Sequence, residues 1–453
     1  MRLAKSCIKL ERDKRVLLFN PKNLEIVVMT SDKFYSRLGS SELSELNNCG
    51  MLDNEKVAGY DLKEVFPEHI TKVYLLFGTD CNISCKYCTV KHNARNYPFQ
   101  DTMTDETLNN SLKFLFEKNE GISHITLYGG EPMLHRERIN QFFDYVESLP
   151  VESVPRIDLI TNGILTDLEL MERMKKWNVL VLISLDGTKQ EHDIFRVDGN
   201  GKGTYERVVE GIKAYQKAGL RVGISMVLGK HNCRNIRNIC TELKRTYNIV
   251  SIGLTLPHME PDIAIDDEFN DFLKYDYKEV LDACQEQGLW FEQGMKRLLS
   301  LAEKKYYIYG CPVDSKGCMI RILPDGVVTL CENMGLREMY QLGNVNESDI
   351  QISHMMETQQ FQQWYRRCTK DYSDCMECSA YGICGMGCPY DAYLQHGTIN
   401  AIEQRCCYIS KQAVSWYLER AIQMADISDE NCIKVLDISE RKRILVDCPW
   451  EKK

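Results

Sequence analysis

Residues 73–88 read Val-Tyr-Leu-Leu-Phe-Gly-Thr-Asp-Cys-Asn-Ile-Ser-Cys-Lys-Tyr-Cys. The first five form a short apolar run of the kind that makes a buried strand, and Cys81, Cys85 and Cys88 follow it directly in the spacing C-x3-C-x2-C. Three thiolates on one loop can hold three irons of a cubane and leave the fourth iron open to a small molecule. A structural metal site, by contrast, closes with a fourth protein ligand. The competing reading is a zinc site completed by a distant residue such as His92. Catalytic groups of parallel barrels gather where strands end at the carboxyl face, so the position of the motif carries weight.

Outward from this stretch, β-type runs alternate with amphipathic ones. The strands are predicted at Val73 to Phe77, Ile122 to Tyr128, Arg156 to Ile160, Val179 to Leu185, Arg221 to Val227 and Ile249 to Leu256, with helices at Asp105 to Lys118 and Tyr205 to Ala218 among those between them. That alternation predicts an α/β fold, a partial (β/α)6 TIM-type barrel over residues 71–300. Residues 1–70, with strand-like runs at Val16 to Phe19 and Glu25 to Met29, are expected to form a small α+β unit. After about residue 300 cysteines with Gly and Pro replace the regular period, which predicts a metal-organised domain over 301–424; 425–453 reads as a mixed, charged tail.

Composition narrows the function classes. The 453 residues carry 56 basic and 65 acidic side chains for a formal charge of -9, and no basic block marks a nucleic-acid or membrane footprint. No signal-peptide run is present and no apolar stretch reaches the roughly 18 residues needed to span a bilayer. A cytoplasmic protein is expected. Its 20 cysteines therefore point to metal ligation rather than to a disulfide framework.

Several strand ends look suited to a nucleotide-like ligand. They are Gly129-Gly130-Glu131-Pro132, Thr161-Asn162-Gly163, Ser184-Leu185-Asp186-Gly187 with His192, Asp193 and Arg196 downstream, and Leu256-Pro257-His258-Met259-Glu260-Pro261. Glycines let backbone approach a ligand, while a guanidinium suits a carboxylate. With the three cysteines and Tyr87 before the last of them, these elements resemble the radical S-adenosylmethionine (SAM) superfamily. The resemblance implies a [4Fe–4S] cluster on Cys81, Cys85 and Cys88, whose open iron is chelated by SAM and whose electron releases a 5′-deoxyadenosyl radical. It implies SAM contacts from Tyr87, Gly129, Gly130, Glu131, Asn162, Ser184, Arg196 and Met259.

Downstream, Cys375, Cys378, Cys384 and Cys388 have the spacing C-x2-C-x5-C-x3-C, and Cys311, Cys318 and Cys331 precede them. With Cys406 beyond them, these eight cysteines suffice for two fully ligated sites, of iron–sulfur or of zinc. The order resembles the SPASM extension of radical enzymes that modify peptides and proteins. By that resemblance Cys311, Cys318, Cys331 and Cys388 hold one auxiliary cluster and Cys375, Cys378, Cys384 and Cys406 the other, with Cys407 a rival for the last place. Three [4Fe–4S] clusters are thus expected. Glu332 stands where sulfatase-maturating enzymes have an Asp that takes a substrate proton, and is the candidate base.

The expected function is a radical SAM maturase that installs a thioether or other crosslink in a ribosomally made peptide, with residues 1–70 able to dock a leader peptide as an added strand. The alternative is an anaerobic sulfatase-maturating enzyme forming formylglycine from Cys or Ser, and a more distant one a non-catalytic iron–sulfur electron carrier. The expected partners are a small precursor peptide and an electron donor such as flavodoxin or ferredoxin, not nucleic acid or membrane.

Overall fold

The computed structural model describes residues 2–53, 59, 67–95, 97, 102–118, 121–307, 317–367, 372–428 and 431–446. All six expected strands are present, as β4 (His69–Leu76), β5 (His124–Tyr128), β6 (Arg156–Thr161), β7 (Leu180–Ser184), β8 (Arg221–Val227) and β9 (Ser251–Thr255), each parallel to the next. Helices cross between them, including Asp105–Phe116, Arg136–Glu147, Leu168–Lys176 and Tyr205–Lys217, and alternate strand residues such as Val73, Leu75, Ile125, Leu127, Leu159 and Val181 enter the main core on one face of the sheet. Asp167 caps the third of these helices, its carboxylate accepting the Leu170 N–H at 3.1 Å. A two-residue strand, β10 (Trp290–Phe291), ends the sheet beside β9.

The other edge holds a strand that the sequence did not announce. β11 (Gly317–Ile322) lies parallel to β4 and continues into β12 (Val327–Thr329) and β13 (Gln341–Asn344), both antiparallel. The cysteine-rich region therefore extends the barrel sheet rather than standing apart. Its one-strand signal, Met319-Ile320-Arg321-Ile322, is short and lies between Cys318 and the Pro324-Asp325-Gly326 turn.

β1 (Ile8–Arg12), β2 (Arg15–Asn20) and β3 (Glu25–Thr30) make an antiparallel sheet that β14 (Ile433–Val435) completes by pairing with β3. Both faces of β2 and β3 are buried. Leu17, Phe19, Ile26 and Val28 join the main core, while Val16, Leu18, Val27 and Met29 pack with Leu46 and Met51 in a smaller one. Residues 433–446 are thus structural partners of β1 to β3. Arg441, fully buried on the Ile438–Val446 helix, donates from Nη1 to the Leu24 carbonyl at 2.6 Å and to that of Leu301 at 3.3 Å, and from Nε to that of Leu436 at 2.8 Å.

Removing that guanidinium strands several buried acceptors at once. Arg441→Met is expected to cost about 2–4 kcal/mol, the range for leaving buried polar groups unpaired. Anaerobic urea denaturation checks this, and a midpoint unchanged from the parent would refute the assignment.

Candidate active site at the barrel mouth

The cysteine loop is seated by backbone. Gly130 N–H donates to the Gly78 carbonyl and Glu131 N–H to that of Asp80, both at 2.9 Å, so the second strand end lies against the residues leading into Cys81. The fit leaves no room for side chains. A Cβ on Gly129, whose φ is 145°, would meet Gly78 O at 2.4 Å, and one on Gly130 would meet Asp80 O at 2.1 Å. From the far side, Ser84 N–H donates to Val197 O at 2.7 Å and Lys86 N–H to Phe195 O at 2.9 Å.

Each sulfur has a nitrogen at hand. Asn162 Nδ2 lies 3.8 Å from Cys81 Sγ, Arg196 Nη1 lies 3.9 Å from Cys85 Sγ, and Lys91 N lies 3.4 Å from Cys88 Sγ, where Cys88 caps the Thr89–Ala94 helix. Burial pushes the Cys81 thiol up to about 11 and the Cys85 thiol up to about 12, so ligation here would have to displace protons.

Glu131 is fully buried and spends its carboxylate inside the protein. Oε1 accepts from Met133 N at 3.0 Å and Thr161 Oγ1 at 2.7 Å, and Oε2 from Asn162 N at 2.7 Å. Burial raises its pKa despite those donors. Asn162 in turn donates to Asn82 Oδ1 at 2.7 Å. Glu131 and Asn162 together thus brace the cysteine loop from the third strand end.

Beneath the loop lies a carboxylate that sequence reasoning quoted but gave no role, Asp186. It is wholly buried, it accepts the Tyr87 hydroxyl and, at 3.0 Å, the Val227 N–H, and its Oδ2 lies 3.0 Å from Arg196 Nε and 3.6 Å from His231 Nε2. Burial opposes its charge, but Arg196 and the histidines outweigh burial and hold its pKa well below the usual carboxylate range. Arg196 Nε meets Asp186 as an ion pair without hydrogen-bond alignment. The signal for Asp186 was available, since an acid closing an apolar strand with His192 and Arg196 downstream calls for a buried pair. Ser184 ends β7 opposite Ser225.

Met259 faces the cysteine-rich region, and Glu332 lies within it. Met259 N–H donates to Asp391 Oδ1 at 2.8 Å, and Glu332 Oε2 accepts from Arg321 Nε at 2.9 Å. Between the Thr89–Ala94 helix, Glu260 and residues 336–339 opens a cavity of about 470 Å³ lined also by Tyr393. Glu260 bridges it, Oε1 lying 2.9 Å from His92 Nε2 and Oε2 accepting from Arg337 Nη2 at 2.6 Å. His92, the residue that the zinc reading would use, is thus spent on a carboxylate.

Of the downstream cysteines, Cys311 lies outside the described residues. Cys318 lies in β11, Cys331 and Cys388 each cap a helix, and Cys375 and Cys378 flank the end of the Ser373–Met376 turn. The Cys407 thiol hydrogen-bonds Cys384 and lowers its pKa, while Arg297 Nη2 lies 3.6 Å from Cys406 Sγ. Both neighbours therefore point toward the same group of sulfurs.

Residues 75–243 match the Radical SAM superfamily. The radical SAM cyclopropyl synthase TigE of Paramaledivibacter caminithermalis is 22% identical over 372 residues, 78% of this chain and 75% of that one. A cysteine-type anaerobic sulfatase-maturating enzyme of Clostridium novyi is 25% identical over 332 residues, 68% of this chain and 85% of that one. In fold, the chain is similar to anSMEcpe with bound AdoMet and a Cp18Cys peptide, with a TM-score of 0.66, 19% identity and coverage of 78% and 98%. It is also similar to Streptococcus suis SuiB bound to precursor peptide SuiA, with a TM-score of 0.55, 14% identity and coverage of 89% and 99%. The seated three-cysteine loop at the carboxyl mouth of the parallel strands lies within the stretch that matches that superfamily, so the chain carries a radical SAM domain over residues 75–243, of a class that works with a [4Fe–4S] cluster and SAM.

Proposed function

We propose that the chain is a radical SAM maturase that crosslinks a ribosomally synthesised peptide, with three [4Fe–4S] clusters. The observation that carries this reading is the seating of a cysteine-rich region on the barrel with a polar cavity left between them, lined on the barrel side by His92 and Asn93 of the helix that Cys88 caps, where a peptide side chain can lodge. Relatives that act in peptide chemistry, a cyclopropyl synthase and SuiB with its precursor peptide, support it. So does β1, which among the described residues pairs with β2 alone and leaves an edge at which an extended leader can add a strand.

In this reading Cys81, Cys85 and Cys88 hold the cluster, and the N–H donors beside their sulfurs suit a ligated cubane. Bound there, the cluster and SAM supply a 5′-deoxyadenosyl radical that takes a substrate hydrogen. The chain's own groups bind and orient. Arg196 receives the SAM carboxylate while Asp186 holds its guanidinium in place; Tyr87, Asn162 and Ser184 border the nucleotide, and Gly129 and Gly130 keep the cysteine loop at its height. Cys311, Cys318, Cys331 and Cys388 and, separately, Cys375, Cys378, Cys384 and Cys406 hold the auxiliary clusters, with flavodoxin or ferredoxin as electron donor. Formylglycine formation is the second reading, favoured by Glu332, which adjoins Cys331 on the domain facing the barrel, and by the sulfatase-maturating relatives.

Incubating reduced, cluster-replete protein with SAM is expected to yield 5′-deoxyadenosine; none under any reductant would defeat both readings. Mass spectrometry of a small cysteine-containing peptide from a neighbouring reading frame, co-expressed with the enzyme, is expected to show loss of two hydrogens. An aldehyde at a Cys or Ser would replace the crosslink reading by the formylglycine one.

Asp186 gives a second test. A depressed folded pKa stabilises the native state fully above the unfolded value of about 4 and is lost only as pH falls through the folded value, so the ion pair is intact at neutral pH. Asp186→Asn leaves Arg196 charged and unpaired and is expected to cost about 3–5 kcal/mol and to weaken SAM binding at least about ten-fold. Denaturant melts and SAM titration read this; parent-like affinity would remove Asp186 from the site.

A further inference from the structure

The loop that follows β9, residues 257–259, is gripped from three separate elements of the cysteine-rich region. Asp391 accepts Met259 N–H through Oδ1 at 2.8 Å and lies 2.9 Å from His258 Nδ1 through Oδ2. Arg405 donates from Nη1 to the Pro257 carbonyl at 2.6 Å, and Asn333 Nδ2 lies 3.3 Å from His258 Nε2. Every one of the loop's three residues is thus held by hydrogen bonds from across the domain boundary.

The gripping residues share one trait. Asn333 comes two positions after Cys331, Asp391 three after Cys388 on the helix that Cys388 caps, and Arg405 directly before Cys406. They are buried, Asp391 with 2% and Arg405 with 4% of its surface exposed, and Arg405 joins Asp391 at 3.1 Å and Glu403 at 2.6 Å. The donor atoms of His258, Cys388 and Asp391 all lie within 4.8 Å of one another. On the barrel side Asn333 accepts from Asn93 at 3.0 Å, on the helix that Cys88 caps.

Short helices such as Glu332–Gly335 and Ser373–Met376 cannot hold a fixed geometry by themselves, because a single turn does not repay its nucleation cost. Their cysteine ligands, once bound to a cluster, would set it. We propose that Asp391 is a positioning residue through which the auxiliary clusters order the 257–259 loop, so that SAM binding in the barrel depends on the assembly of the cysteine-rich domain. This rests on the proposed radical SAM function and on the SAM contact that the family resemblance implies for Met259. Asp391 is the hub, because it contacts two loop residues and the arginine that holds the third.

The test uses full-length protein, anaerobically reconstituted, without peptide. SAM is titrated while the electron paramagnetic resonance of the reduced cluster on the Cys81–Cys88 loop is followed, and hydrogen exchange is read over residues 256–260. Asp391→Asn keeps the shape but loses charge, and Cys378→Ala removes an auxiliary ligand distant in sequence from the nucleotide loop. Each is expected to raise the SAM Kd about ten-fold, within the usual range of coupling between sites, and to speed exchange over 256–260. Iron on the barrel loop is expected to stay. Parent-like affinity and protection in both variants would overturn the proposal. Should Asp391→Asn fail to fold, Arg405→Gln and Cys378→Ala decide by the same two readouts. A parent protein without any response to SAM would instead defeat the nucleotide reading itself.

Discussion

A carboxylate with none of its surface in water must be compensated on every side, and the barrel mouth is arranged around that demand at Asp186. Its partners come from four places: Tyr87 from the cysteine loop, Arg196 from beyond the fourth strand, Val227 from the end of the fifth, and His231 after it. Satisfying one charge thereby fixes the relative positions of loop and strand ends. Asn232 closes the arrangement by donating from Nδ2 to the Asp186 carbonyl at 2.8 Å. The cationic partner also reaches to 3.9 Å from Cys85 Sγ, and a guanidinium suits a carboxylate, so the interaction that holds the site prepares it for a ligand.

A second, steric constraint complements the charge. The strand ending in Gly129 and Gly130 passes so close to Gly78 and Asp80 that backbone touches backbone, and only residues without Cβ permit it. Glu131 then spends both oxygens on Thr161, Met133 and Asn162, which turns the third strand end toward the same loop. Glycines that a sequence reader assigns to ligand approach thus serve the cysteine loop first. Ligand and loop impose the same demand for room.

The barrel was legible because short β-type runs alternate regularly with amphipathic helical ones; β8 matches its expected span, and the others differ by a few residues at their ends. The three thiols and the strand-end glycines were legible because their spacing is local. Partnerships across long separations were not: β11 is too short to stand out among cysteines, and β14 looked like tail because its three residues acquire meaning only beside β3. Asp186, Asp391 and Arg441 stayed silent for the same reason. A lone charged residue in sequence reads as surface, and only the fold reveals that its counter-charge or carbonyl has been brought to it.

The joint between barrel and cysteine-rich domain is mostly polar where it meets the mouth, and this choice has a physical logic. An apolar seam there would tolerate sliding, because dispersion contacts are non-directional. The chain Arg337–Asn93–Asn333–His258–Asp391–Arg405 offers donors and acceptors that match in one register only, each link between 2.8 and 3.3 Å. Displacing it by one residue would strand several buried groups together, at a cost that grows with each. Such a joint fixes the distance between the loop of Cys88 and the helices of Cys331 and Cys388. The apolar contacts of Leu76, Val90, Leu323 and Leu336 flank it and supply adhesion without register. Adhesion and register are thus carried by different residues at the same boundary.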